Sequence, residues 1–153
     1  LAAKTERIEF VTNVYIVPLR HPVELAKATS SASYFSGGRI CLGAGAGWMK
    51  EEFELMGVDF HTRGKRFDEA IEVMRKLWSG DMVEHHGQFY DFPRLQMTPA
   101  PAQPVPIYIG GSSKAALRRA ARAQAEHAPP SALAAEGVRR TAPLQERSVH
   151  QLQ

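Results

Sequence analysis

The sequence predicts an α/β protein with a parallel sheet, and three observations lead there. Residues Ile8 to Val17 form an apolar, β-branched run with few charges, as a buried strand does. From Phe67 to Trp78, apolar residues recur at Phe67, Ala70, Ile71, Met74, Leu77 and Trp78. Asp68, Glu69, Glu72, Arg75 and Lys76 take the other face, which is the pattern of an amphipathic helix. Strand-like and helical stretches also alternate along the chain, and parallel neighbours need helical crossovers.

Taken in order, the Ile8–Val17 strand ends at Pro18. His21-Pro22 opens a helix, with proline at the first helical position, where its missing N–H costs nothing. That helix runs to about Phe35 and stops at Ser36-Gly37-Gly38. A short strand from Arg39 to about Ala44 enters the glycine-rich stretch Gly43 to Trp48. The amphipathic helix follows and ends at Ser79-Gly80-Asp81. Residues Met82 to Met97 hold two β-like pieces around His86-Gly87, read as a hairpin. A proline-rich connector, Pro99 to Pro106, leads to the apolar strand Ile107-Tyr108-Ile109. Gly110-Gly111-Ser112-Ser113 then starts a helix with Ala116, Leu117 and Ala120 on one face.

With 153 residues, the chain has room for one ordinary domain or part of a larger one. A composition of 44% hydrophobic and 23% charged residues excludes collagen-like, disulfide-rich and wholly disordered proteins. No apolar run approaches the roughly 20 residues of a membrane helix, and no signal-like stretch is visible. A lone cysteine, Cys41, cannot form a disulfide within the chain, which favours a reducing, cytoplasmic setting. The net charge of +3 comes from basic residues interspersed with acidic ones, without the clustered face that nucleic acid requires. The expected partner is a small organic molecule, with no nucleic acid or membrane, and a homo-oligomer is possible.

Two glycine-rich stretches stand where strands give way to loops. Gly43-Ala44-Gly45-Ala46-Gly47 lets a backbone approach a ligand closely, or it is simply a small-residue strand end. It lacks the third glycine of the dinucleotide fingerprint, so a nicotinamide site is not expected. Gly110-Gly111-Ser112-Ser113 puts free N–H groups, two hydroxyls and a helix dipole directly after a strand, which is a seat for phosphate. The alternative is an ordinary serine cap. The polar pair Thr12-Asn13 inside an apolar strand marks a bulge or ligand-facing position, or else bonds the neighbouring strand. His21, His61, His85 and His86 do not make a metal set, because adjacent histidines in a strand face opposite ways. Glu51-Glu52, just after the glycine loop, either supplies an acid or base or is a favourable charge at a helix start. Neither Cys41 nor any serine stands in a triad context.

Together, these stretches over about residues 4 to 122 resemble the bacterial luciferase-like monooxygenase superfamily, particularly its branch dependent on the deazaflavin coenzyme F420. Residues Thr5 to Trp78 and Phe89 to Arg122 carry the resemblance, with several motifs in the family's order. It implies a partial (β/α)8 barrel of about three parallel strands with their helices, belonging to an oxidoreductase that performs hydride or oxygen transfer at F420 or, alternatively, FMN. It further implies that Thr12 and Asn13 lie in a bulge behind the cofactor ring. Gly45, Ala46 and Gly47 would line the cofactor, and Gly110, Gly111, Ser112 and Ser113 would receive its phosphate. Some deazaflavin relatives carry a carboxylate directly after the last loop glycine. Trp48 stands there in this sequence, and no catalytic residue is assigned.

From Ala123 the pattern changes. Ala, Gln, Arg, Glu and Pro dominate, a weak helix fits Ser131 to Arg140, and the next expected strand is missing. A disordered tail and a frame-altered end both fit residues 123–153. The alternative for the whole chain is a non-catalytic fragment or pairing module.

Overall fold

The computed structural model describes residues 1–127. The expected helix at Ser131 to Arg140 and most of the tail lie outside the described residues. Four β segments form one sheet: β1 (Phe10–Val11), β2 (Tyr15–Ile16), β3 (Ile40–Gly45) and β6 (Ile107–Ile109). β3 is central and every pairing in the sheet is parallel, with β1 and β2 on one side and β6 on the other. A separate antiparallel hairpin joins β4 (Met82–His86) to β5 (Asp91–Gln96), as expected. The helices are α1 (Pro22–Ser36), α2 (Lys50–Leu55), α3 (Arg63–Trp78) and α4 (Lys114–His127).

The run Ile8–Val17 is not one continuous strand. Phe10 and Val11 pair with Ile40 and Cys41, whereas Tyr15 and Ile16 pair with Ala44 and Gly45. Three residues, Thr12 to Val14, therefore face only Leu42 and Gly43, so one residue is extra and the ladder opens there. The polar pair Thr12-Asn13 sits in this bulge. Val17 and Pro18 leave the sheet in a short 3-10 turn, both buried. β1 with β2 thus acts as one broken strand, and the sheet has the three parallel strands expected.

Other boundaries moved for local reasons. α1 ends within one residue of expectation, where Gly37 at φ 68° lets the Gly38 N–H reach the Ser33 carbonyl at 2.8 Å. α3 starts a turn before Phe67, because its first turn is polar and carries no periodic signal. The short helix α2 has Glu51 and Glu52 in its first turn, where negative charge meets the helix dipole. The final helix begins at Lys114 rather than Ser112, since the Ser113 hydroxyl accepts from Ala116 N–H at 3.1 Å as its cap. It also continues past Arg122 to His127, with Ala123 buried.

The two faces of the sheet differ. Leu42, Ala44 and Ile107 point into a core with Leu25 and Ala26 of α1 and Phe67, Met74 and Leu77 of α3. Along β3 the alternate residues Cys41, Gly43 and Gly45 face the other way. Val11, Val14 and Tyr108 stand on that second face, each about half exposed. Burial, followed by the nearby Glu9 charge, pushes the Cys41 thiol up from its ordinary value.

The hairpin is tied to α3 by Glu69, which the periodicity placed on the solvent face. Its carboxylate accepts from the Phe89 N–H at 3.0 Å and the Tyr90 N–H at 2.9 Å, and faces His85 Nε2 at 3.3 Å. Lys76 Nζ, which can only donate, lies 3.1 Å from His85 Nδ1. The proton of a neutral His85 is therefore assigned to Nε2, directed at Glu69. Burial alone would raise the Glu69 carboxyl, but the two backbone N–H groups and His85 outweigh it and hold it below its ordinary 4.5. A depressed carboxyl stabilises the fold above its unfolded value and loses that contribution as pH falls through the folded one. Glu69→Gln should cost about 1–3 kcal/mol at neutral pH, because charged acceptors are lost. The mutant should also lose less stability than wild type on going below pH 4.5. Urea titrations at several pH values check both, and an unchanged midpoint at pH 7 would contradict this role.

Candidate functional site

Parallel pairing brings the ends of β2, β3 and β6 to one rim of the sheet, where ligands of α/β folds collect. The Gly110 N–H donates to the Ala44 carbonyl at 2.8 Å, so the two glycine-rich stretches leave adjacent strands side by side. Val14, from the bulge, spans both. A Cβ on Gly45 would lie 3.2 Å from its Cγ1, and one on Gly110 would lie 3.3 Å from its Cγ2. The bulge and both glycine stretches therefore meet at one place.

Gly43 makes the bulge possible. A Cβ there would stand 1.9 Å from the Thr12 carbonyl oxygen, so only glycine admits the bulged backbone. The Thr12 hydroxyl returns a hydrogen bond to the Gly43 carbonyl at 2.8 Å. Thr12 thus bonds the neighbouring strand, while Asn13 is exposed and no hydrogen bond of its side chain appears among the described residues. The Asn13–Val14 peptide is cis. Gly43 belongs to the glycine-rich stretch read from the sequence, but its role under the bulge is not visible there, because its partner Thr12 lies 31 positions away.

The β3 loop is held from behind. Gly47 has φ 82°, and a Cβ on it would come within 2.7 Å of Phe53 and 2.9 Å of Ile16. Its carbonyl accepts from Arg63 Nε at 3.2 Å. Ala46 packs partly against the core, and Trp48 projects outward, 80% exposed. On the β6 side, Gly111 has φ 123°. The Ser113 hydroxyl is occupied as the α4 cap, which is the ordinary alternative for that residue. The exposed Ser112 hydroxyl and the Lys114 and Ala115 N–H groups have no acceptor or donor partner among the described residues. These groups and the positive end of α4 fit a phosphate. On the second face of β3 the bulge lies over the glycines, with the Thr12 carbonyl against Gly43 and Val14 against Gly45 and Gly110, so a flat ring would rest on the bulge and beside the glycine stretches. No group of three or more His, Cys, Asp or Glu that could hold a metal ion occurs among the described residues. No helix among them is long and apolar enough to cross a membrane.

A large groove lies elsewhere among the described residues, between α3, the hairpin and α4, lined by Lys65, Glu69, Glu72, Lys76 and His85 among others. Its Glu69, Glu72, Lys76 and His85 are committed to one another, so its size reflects a charged seam and not the ends of the strands.

The family model for luciferase-like monooxygenases matches residues 1–142, and the chain belongs to that family. The match reaches beyond residue 122, where the motifs of the resemblance end. An uncharacterized protein of Mycobacterium tuberculosis is 51% identical over 123 residues, covering 80% of this chain and 43% of that protein. The F420-dependent glucose-6-phosphate dehydrogenase of Amycolatopsis mediterranei is 32% identical over 127 residues, with 80% and 38% covered. Among solved structures, the oxygenating constituent of 3,6-diketocamphane monooxygenase from Pseudomonas putida, in complex with FMN, superposes with a TM-score of 0.60. It is 25% identical, with 69% of this chain and 33% of that chain covered. An F420-dependent secondary alcohol dehydrogenase has a TM-score of 0.69 at 24% identity, over 78% and 37%, and bears on the fold alone. The fold is that of a partial (β/α)8 barrel of this luciferase-like, F420- or FMN-dependent oxidoreductase family. The chain spans less than half the length of each of these relatives.

Proposed function

We propose that this chain supplies the ring-backing and phosphate-binding parts of an F420 site, or alternatively an FMN site, in an oxidoreductase acting on a small organic substrate. The observation that carries this reading is the convergence of the Thr12–Val14 bulge and the two glycine stretches on one rim. Gly45, Ala46 and Gly47 would border the ring, with Asn13 and Val14 behind it. Ser112 and the free N–H groups at the start of α4 would hold the phosphate, assisted by Gly110 and Gly111. Ser113 serves that start as its cap, and Thr12 holds the bulge on β3. When bound, the cofactor supplies the hydride or oxygen chemistry, and the protein contributes binding, orientation and exclusion of water.

Ser112→Ala tests this reading. The substitution removes one hydrogen bond to a charged group and leaves the Ser113 cap intact, so binding of F420 or FMN should weaken by about tenfold with an unchanged unfolding midpoint. Fluorescence titration measures it, and equal affinity in the mutant would remove the phosphate assignment. Gly111→Val is a poorer probe, because φ 123° and Ala116 at 3.1 Å would strain the backbone as well.

The half-exposed second face favours a further reading, in which the chain by itself lacks turnover and needs a partner surface. Val11, Val14 and Tyr108 leave apolar area in water there, and β1 and β6 are open edges among the described residues.

A further inference from the structure

Two arginines link the start of α3 to the two halves of the candidate site, Arg63 from within the helix and Arg119 from α4. On one side, Arg63 donates from Nε to the Gly47 carbonyl at 3.2 Å and from Nη1 to the Phe60 carbonyl at 2.9 Å. Its guanidinium lies 3.7 Å from the centre of the Phe60 ring, which meets Phe53 edge-on at 5.3 Å. Phe53 is fully buried and is the side chain against which Gly47 packs. Gly47, Phe53, Phe60 and Arg63 thus close a ring behind the β3 loop.

On the other side, Arg119 of α4 makes a two-pronged contact with Asp68, Nε to Oδ1 at 2.7 Å and Nη2 to Oδ2 at 2.9 Å. Nη2 also donates to the Gly64 carbonyl at 3.1 Å. Such a fork fixes direction as well as distance, which a lysine cannot do. Arg119 stands six residues after Ser113, roughly 9 Å along the helix, so its grip sets where the start of α4 lies. Arg63 and Gly64 are neighbours in sequence.

We infer that Arg63 and Arg119 are positioning residues that set the spacing between the Gly45–Gly47 loop and the phosphate end at Ser112. The inference rests on the proposed cofactor site. A phosphate-bearing ring must touch both halves at once, so a shift of either half costs affinity in a distinct way. Arg119 governs the phosphate end alone, and Arg63 governs the ring loop alone.

Two probe pairs read this out: FMN against riboflavin, and F420 against its deazaflavin riboside lacking the phosphate. Arg119→Lys should reduce the advantage of the phosphate-bearing member by about tenfold while leaving the phosphate-free member unchanged. Asp68→Asn should act in the same way. Arg63→Lys should weaken both members of each pair equally. In the chain without cofactor, hydrogen exchange should accelerate at residues 113–116 in Arg119→Lys and at residues 45–48 in Arg63→Lys, without crossing over. Parallel losses for both members in both variants, or exchange that rises uniformly, would reduce the arginines to plain stabilisers and overturn the inference. A wild-type chain that binds none of the probes would overturn the cofactor site itself. The exchange pattern would then still decide whether each arginine holds its own loop.

Discussion

Gly43→Ala is expected to be among the most damaging single-methyl changes in the chain. The added Cβ would stand 1.9 Å from the Thr12 carbonyl oxygen, a backbone atom that cannot rotate away. β1 and β2 are both pinned to β3 on either side of the bulge, so relief requires breaking one of those pairings. Overpacking typically costs about 1–3 kcal/mol, and the displaced Thr12 hydroxyl bond adds about 1 kcal/mol. The sum is a large part of the roughly 5–15 kcal/mol that holds a domain folded. Gly38→Ala is the comparison: φ is 84° but nothing lies within 4 Å, so only the conformational cost of about 1 kcal/mol applies. Urea unfolding of the two mutants checks the difference. A Gly43→Ala chain as stable as wild type would show that the bulge is not held as described.

The second large effect concerns the 153-residue chain purified by itself. It should show no cofactor-dependent turnover and should carry no stoichiometric yellow chromophore. Val11, Val14 and Tyr108 leave an apolar face half exposed, and the chain should therefore self-associate. A cofactor seated at the rim would meet only part of its contacts. Loss of even two hydrogen bonds to charged groups elsewhere on the cofactor costs about 3–6 kcal/mol, a fall in affinity of a hundredfold or more. Light scattering and absorbance of the purified chain measure both effects. A monodisperse monomer that copurifies with one flavin or deazaflavin, and reduces it with a substrate, would contradict this expectation.

What the sequence shows and what it conceals follow from the range of the interactions. The buried stripe of α3 repeats within the helix itself, so Phe67, Ala70 and Met74 announce it directly. The hairpin is legible for the same reason, with Gly87 between two short β-like pieces. The Thr12-Asn13 pair is visible as a polar break in an apolar run. Its cause is not, because Gly43 is paired to it only through the fold. Glu69 and Asp68 have the spacing of solvent-facing residues, yet one receives the hairpin amides and the other receives Arg119. Arg63 is hidden for a different reason: its partner is the Gly47 carbonyl, and a backbone acceptor leaves no trace in residue type. The glycine stretches stand out in the sequence as candidate ligand seats because their chemistry lies in the absence of side chains. Which of the two serines is free was not, since only the placement of α4 makes Ser113 the cap and leaves Ser112 open.

The proposed function requires the bulge and the two glycine stretches to form one cofactor surface. Backbone amide resonances of the chain, followed by NMR during titration with FMN and with F420, test that most directly. The largest shifts should fall on residues 12–14, 45–48 and 110–115 together, with the hairpin residues 82–96 unmoved. Shifts confined to the charged groove around Glu72, Lys76 and His86, or absent from one of the three segments at saturation, would contradict it.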